Sequence, residues 1–162
     1  MPIPFEQLNH ELFMREALKQ AEEALTHGER PIGAVIVHDG VIIARGRARH
    51  NERHSEVAHA EMNAMLDGQR FLHEHIHESV LYTTVEPCVM CLGAAVMSDL
   101  YAIVFALADH NINASQMLEM PYVRRHIKHY VGGVLEAESA ALWEKTRQAE
   151  LALIRGERVL RQ

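Results

Sequence analysis

"SVLYTTVEPCVMCLGAAVMSDLYAIVFALA", residues 79–108, is the stretch that decides the fold class. Its first seven residues are rich in β-branched and aromatic side chains and predict a strand. Pro87 suits the first turn of a helix that runs to about Ser98. "YAIVFALA" (101–108) then predicts a second, buried strand by its length and composition. Strand, helix and strand within thirty residues is the signature of a layered α/β domain.

Working outward, "PIGAVIVHDGVIIARG" (31–46) holds two β-rich runs, Gly33–His38 and Val41–Arg45. Asp39-Gly40 between them is a strong two-residue hairpin signal. Upstream, apolar residues from Phe5 to about His27 recur at helical spacing, and Gly28 stops that helix. Residues 47–58 are polar and turn-like. A helix is expected from Val57–His59 to about Phe71. Downstream, 109–130 carries Asn- and Pro-containing turns and a short helix, 130–135 a short strand, and 138–154 one long helix. The order implies a mixed sheet with helices on both faces.

The 162 residues suit one domain, 1–162, with a mobile or partner-bound tail at 155–162. The N-terminus lacks the basic and apolar pattern of a secretory signal. No apolar run reaches the roughly 18–20 residues needed to span a bilayer. The two cysteines are no disulfide framework. The expected setting is the cytoplasm, with reduced thiols and no membrane. Lys and Arg number 16 against 22 Asp and Glu, a formal charge of −6. Basic clusters occur at "RGRAR" (45–49) and "RRHIKH" (124–129), without the general excess that marks most nucleic-acid binders. That balance leans toward a small substrate.

Both cysteines fall in "EPCVMC" (86–91), and "HAEMNAM" (59–65) lies upstream. Cys88 and Cys91 are three apart, so they share a helix face, and a helix N-terminus stabilises thiolates. Two thiolates and one imidazole, His59, form a good zinc set that leaves a fourth position open. Glu61 is then free to act as a base. A Cys-x-x-Cys alone is also compatible with a redox pair, or with two buried structural cysteines and a capped helix. "HEHIHE" (73–78) reads as a polar loop rather than a second metal site.

His-Ala-Glu at 59–61 followed by Pro-Cys-x-x-Cys at 87–91 resembles the zinc-dependent cytidine/deoxycytidylate deaminase superfamily, whose motif and mechanism are established for the group as a whole. "RPIGAVIVHDGVIIARG", "AHAEMNAM", "LYTTVEPCVMCLGAAVMSDLYAIVFALAD" and "GGVLEAESAAL" resemble the branch holding bacterial tRNA adenosine deaminases and guanine deaminases. The resemblance implies a three-layer α-β-α sandwich with a mixed five-stranded sheet. It implies zinc on His59, Cys88 and Cys91, with Glu61 moving protons between water, ring nitrogen and leaving ammonia. It also implies that Asn51 and the backbone of Ala60 hold the base, that Asp109 meets the sugar, and that the protein is a homodimer.

Two segments depart from this branch. Only seven residues separate Asn51 from His59, with "HSEVA" where an Asp-Pro is usual, and "HNINAS" (110–115) replaces a Gly- and Ser-rich turn. Both border the mouth of the site in the family. With the acidic balance, they place hydrolytic deamination of a base, nucleoside or related small heterocycle first. Deamination of an anticodon-loop adenosine in tRNA is the alternative. A silent zinc protein serving in an assembly is a third reading, against which the intact Glu61 argues.

Overall fold

The computed structural model describes residues 3–157. Five strands form one sheet in the order β2-β1-β3-β4-β5: β1 (Gly33–His38), β2 (Val41–Arg47), β3 (Ser79–Val85), β4 (Ala102–Leu107) and β5 (His129–Val131). β1 is antiparallel to both β2 and β3, whereas β3, β4 and β5 run parallel. The expected hairpin is present. Asp39 and Gly40 both take positive φ, +47° and +73°, as a tight two-residue turn between right-twisted strands requires.

The helices are α1 (His10–Thr26), α2 (His50–Arg53), α3 (Ala60–Asp67), α4 (Gln69–His75), α5 (Val89–Met97), α6 (Pro121–His126), α7 (Glu136–Glu144) and α8 (Gln148–Ile154). On one face of the sheet Phe13, Met14, Ala17 and Leu18 of α1 pack with Val35, Tyr82 and Val104. On the other, Ala60, Ala64 and Met65 of α3 and Leu92 and Ala95 of α5 pack with Ile36, Leu81 and Ile103. These are the three layers expected from the sequence.

Helix α1 starts at Asn9, whose side chain accepts the Leu12 N–H at 3.0 Å, a capping bond of the kind Asn commonly supplies. The opening helix is therefore shorter than the apolar pattern suggested, with Phe5–Gln7 forming a separate 3-10 turn. Two other expected helices are each broken in two. The helix from His59 breaks at Gly68, where an added Cβ would sit 2.8 Å from the Ala44 side chain. The long C-terminal helix breaks at 145–147. There Trp143 on α7 and Leu151 and Ile154 on α8 share one apolar cluster with Val85 and Leu107. Burying both helices in that cluster needs a corner, which Arg147 makes at φ −142°. The last strand is also shorter than expected, because Gly133 turns the chain at φ +86°. Residues 47–58, expected as turn, contain the single turn α2.

Residues 155–157 close α8, with the Glu157 N–H on the Ala152 carbonyl at 2.9 Å. The remainder of the expected tail, 158–162, lies outside the described residues. Among the described residues no helix is long and apolar enough to cross a membrane.

Gly46 sets the distance between β2 and α3. A Cβ there would lie 2.2 Å from the Ala60 carbonyl oxygen and 2.4 Å from the Ala64 nitrogen, both backbone atoms. Gly46→Ala must push α3 off the sheet, and overpacking of this kind costs about 3 kcal/mol. Because α3 begins at His59, thermal melting of this variant should show a lower midpoint together with weaker metal retention. An unchanged midpoint would mean that the helix moves freely at this point.

Candidate active site

Three side chains converge where α3 and α5 begin. His59 is the N-cap of α3 and Cys88 the N-cap of α5, both in extended conformation. Cys91 lies within the first turn of α5 and is fully buried. The ligand atoms of His59, Cys88 and Cys91 lie within 4.8 Å of one another, the one group of this kind among the described residues. His59 Nδ1 is 3.5 Å from each cysteine Sγ. Tetrahedral zinc with ordinary Zn–S and Zn–N bonds requires S···N separations of about 3.6 Å, so the three residues fit the ion. Pro87 precedes the N-cap rather than opening the helix. That places Cys88 in the capping position and keeps both sulfurs on one side of the turn.

The electrostatics suit thiolate formation. Hydrogen bonding from Cys91, then from His59, holds the Cys88 thiol down to about 4, against the cost of burial. The same Cys88 contact, with burial, pushes Cys91 up. The Cys88 contact also raises His59. Cys88 thus favours the thiolate while Cys91 and His59 hold protons more firmly, and a divalent cation bound by the three would displace them.

Glu61 sits one residue into α3 and is 3% exposed. Burial raises its pKa above the ordinary carboxylate value. Its Oε1 is 3.1 Å from the Thr83 hydroxyl and its Oε2 is 3.5 Å from Cys91 Sγ. The same hydroxyl is 3.1 Å from the Val85 carbonyl oxygen. A hydroxyl has one proton to give and lone pairs to receive. Thr83 can therefore donate to the Glu61 carboxylate. When Glu61 carries a proton, Thr83 can accept it and donate to Val85 instead.

His59, Glu61 and Cys88 open on a cavity of about 240 Å³ that Asp109 and Trp143 also line. Burial raises the pKa of Asp109, whose Oδ1 accepts the backbone N–H groups of Asn111 and Ile112 at 3.0 and 2.8 Å. It thereby shapes the 110–115 turn while facing the cavity. Asn51 and Ala60 are placed differently. Asn51 is on the exposed side of α2, with its amide 3.4 Å from Glu29 Oε2 and 3.5 Å from the Gly28 carbonyl. Ala60 is fully buried against β2. Neither side chain lines the cavity.

Several residues outside the predicted site set do contribute. Thr83 reaches Glu61 only through the pairing of the sheet. Glu86 lines the cavity, accepting the Asp109 N–H and the Tyr130 hydroxyl, each at 2.9 Å. Its place next to Pro-Cys-x-x-Cys was the one available signal. Arg30 and Glu150 close one side with an ion pair at 2.9 Å. Trp143 is 1% exposed, and its indole N–H has no partner among the described residues.

Residues 7–107 match the family described as the cytidine and deoxycytidylate deaminase zinc-binding region. A tRNA-specific adenosine deaminase of Bacillus subtilis is 40% identical over 139 residues, covering 82% of this chain and 84% of that protein. A solved structure from studies of A-to-I editing by tRNA:A34 deaminases is 33% identical with a TM-score of 0.73, covering 81% of this chain and 98% of that one. A guanine deaminase structure from Nitrosomonas europaea is 25% identical with a TM-score of 0.71, covering 90% and 85%.

Proposed function

Because the chain belongs to the cytidine and deoxycytidylate deaminase zinc-binding family and is a zinc-dependent hydrolytic deaminase, we propose that its substrate is an amino-substituted purine ring, presented as an adenosine in a tRNA loop. The observation that carries the chemistry is the buried Glu61 carboxylate, bonded to Thr83 and set beside the His59–Cys88–Cys91 cluster on one cavity. The purine assignment is supported by two sets of likenesses, to adenosine deaminases of tRNA and to a guanine deaminase. The acidic composition favoured a small heterocycle. The likeness to tRNA-specific enzymes over most of the chain weighs more and moves RNA to first place.

Held by His59, Cys88 and Cys91, zinc supplies Lewis-acid activation of water near neutral pH. Glu61 accepts the proton released as the water oxygen bonds to the amino-bearing ring carbon. It delivers that proton to the adjacent ring nitrogen, then takes the remaining proton from the newly added hydroxyl and passes it to the amino group, so that the C–N bond breaks, ammonia leaves and the oxygen becomes a carbonyl. Thr83 bonds to Glu61 in both protonation states, so the carboxyl group does not swing away between steps. Burial keeps bulk water from competing for the shuttled proton.

A specific observation favours a second reading, a free purine base or nucleoside. Trp143 of α7 and Glu150, Leu153 and Ile154 of α8 wall the cavity, and such a wall suits a ligand enclosed on its far side. Ammonia release from adenine, adenosine, guanine and guanosine should be assayed beside inosine formation in an anticodon stem-loop RNA. Inosine formation in the RNA is the expected result. Turnover of a free purine with none on RNA would replace the first reading by the second. We further propose a cytoplasmic setting and a homodimer, the latter supported by exposed apolar Leu66 and Met97 beside the groove between α3 and α5. Light scattering that finds a fully active monomer would refute the dimer.

A further inference from the structure

A second polar pocket, of about 230 Å³, lies on the open edge of the sheet, away from the metal ligands. Arg45, Arg47, Arg49 and Arg53 all line it, with Gln20 of α1 and Asn63 of α3. Four arginines lining one pocket are unexpected in a chain of net charge −6. Edge strands are often charged simply to block pairing with another sheet. That role needs exposed charges and would not gather them into a concave site.

The charges there are incompletely neutralised. Arg47 is buried and structural, 2.8 Å from Glu52 and 3.5 Å from Glu23. Arg49 lies 3.9 Å from the same Glu52, and its Nε is buried without a hydrogen-bond partner among the described residues. Arg53 bonds the neutral amide oxygen of Asn63 at 2.9 Å. Arg45 has no carboxylate within 4.0 Å of its guanidinium among the described residues. Asp67 also lines the pocket, fixed by the Arg45 backbone N–H at 3.1 Å, and its one negative charge leaves the four arginines in excess.

The pocket lies at the same end of the sheet as the chemistry. Ala34 pairs with Thr83 on one side and with Gly46 on the other. The row Thr83–Ala34–Gly46 therefore crosses three strands and sets Gly46 about 10 Å from Thr83. Arg45 and Arg47 flank Gly46 in β2 and so project to the α1 face, opposite the face that carries Glu61 and Thr83 but at the same end of the sheet.

We propose that this pocket is a phosphate-binding site, with Arg45 and Arg49 as its principal donors. Guanidinium forks match phosphate oxygens in bidentate geometry. The phosphate comes either from the backbone of a bound RNA strand or from a free phosphate or mononucleotide. The RNA source rests on the tRNA reading above, whereas the site itself does not.

The test compares the full-length zinc protein with an Arg45→Ala/Arg49→Ala variant, leaving the buried Arg47 in place. Zinc content and melting temperature establish that the variant folds, and Arg45→Gln alone serves if it does not. Calorimetry with inorganic phosphate at low salt should show binding to the wild type that weakens at least tenfold in the variant. Affinity for an anticodon stem-loop RNA is then followed against salt. Each lost phosphate contact on a single strand flattens the log–log slope by about 0.7, so the double variant should be flatter by about 1.4. That shift identifies RNA backbone as the source. Lost phosphate binding with an unchanged RNA slope identifies a free phosphate or mononucleotide. Phosphate binding in a protein that binds no RNA supports the site and overturns the tRNA reading. Phosphate binding that is absent from the wild type, or equal in both proteins, overturns the site.

Discussion

Glu61→Gln should lower kcat by roughly 100- to 10,000-fold or more, the range that a positioned acid–base group supplies, while the zinc content stays at one per chain. Glutamine keeps the shape of the side chain and can still bond Thr83, but its amide accepts no proton from water. KM should change little, because Glu61 is held by Thr83 and Cys91 in the absence of substrate. Steady-state kinetics on the true substrate, with metal analysis of the same preparation, checks this. Near-normal turnover would reduce Glu61 to a structural role. Thr83→Val removes the hydroxyl that serves both protonation states of Glu61. Its kcat should fall between those of the wild type and Glu61→Gln.

Cys88→Ala should lose zinc and with it much of the protein's stability. The two N-caps His59 and Cys88 come from segments 29 residues apart in the chain, and the ion ties them together. A ligand held at a thousand times its dissociation constant stabilises the folded state by about 4 kcal/mol. For a chain of this size, losing that amount lowers the melting temperature on the order of 10 °C. The Cys88→Ala, Cys91→Ala double variant should bind no zinc, because a lone imidazole cannot compete with chelators. Differential scanning calorimetry and metal analysis read the two effects separately. Stoichiometric zinc in the double variant would sink the ligand assignment.

The metal site was legible in the sequence because its constraints are local. Cys88 and Cys91 must lie within one turn of each other, and His59 and Glu61 must share the start of one helix. Each pair shows in a window of a few residues. The hairpin at Asp39-Gly40 was legible for the same reason, since its positive φ angles are a property of two residues. The helix breaks were not. Gly68 and the 145–147 corner answer to what lies across from them, Ala44 in one case and the shared cluster of Trp143, Leu151 and Ile154 in the other. Apolar periodicity continues through both positions and gives no sign of a bend.

Asn51 lies outside the cavity wall. Asn51 is exposed, and its neighbour His50 lies with its ring 4.9 Å from that of His59 and both ring nitrogens buried without a hydrogen-bond partner among the described residues. A shift of one residue on a single helical turn rotates a side chain by about 100°, which spacing along the chain cannot resolve.

The sequence by itself determined the α/β layers, the mixed sheet, the His59–Cys88–Cys91 group and the carboxylate of Glu61 two residues after its histidine, because each depends on residue types at short, fixed separations. Only the tertiary structure decided that Thr83 holds Glu61, that Glu86, Arg30 and Trp143 enclose the cavity, and that four arginines meet at the β2 edge. Those arrangements come from strand order and register, which bring residues 20 to 120 positions apart to within a few ångströms. Strand order reflects the packing of whole faces against one another, and no local window carries it.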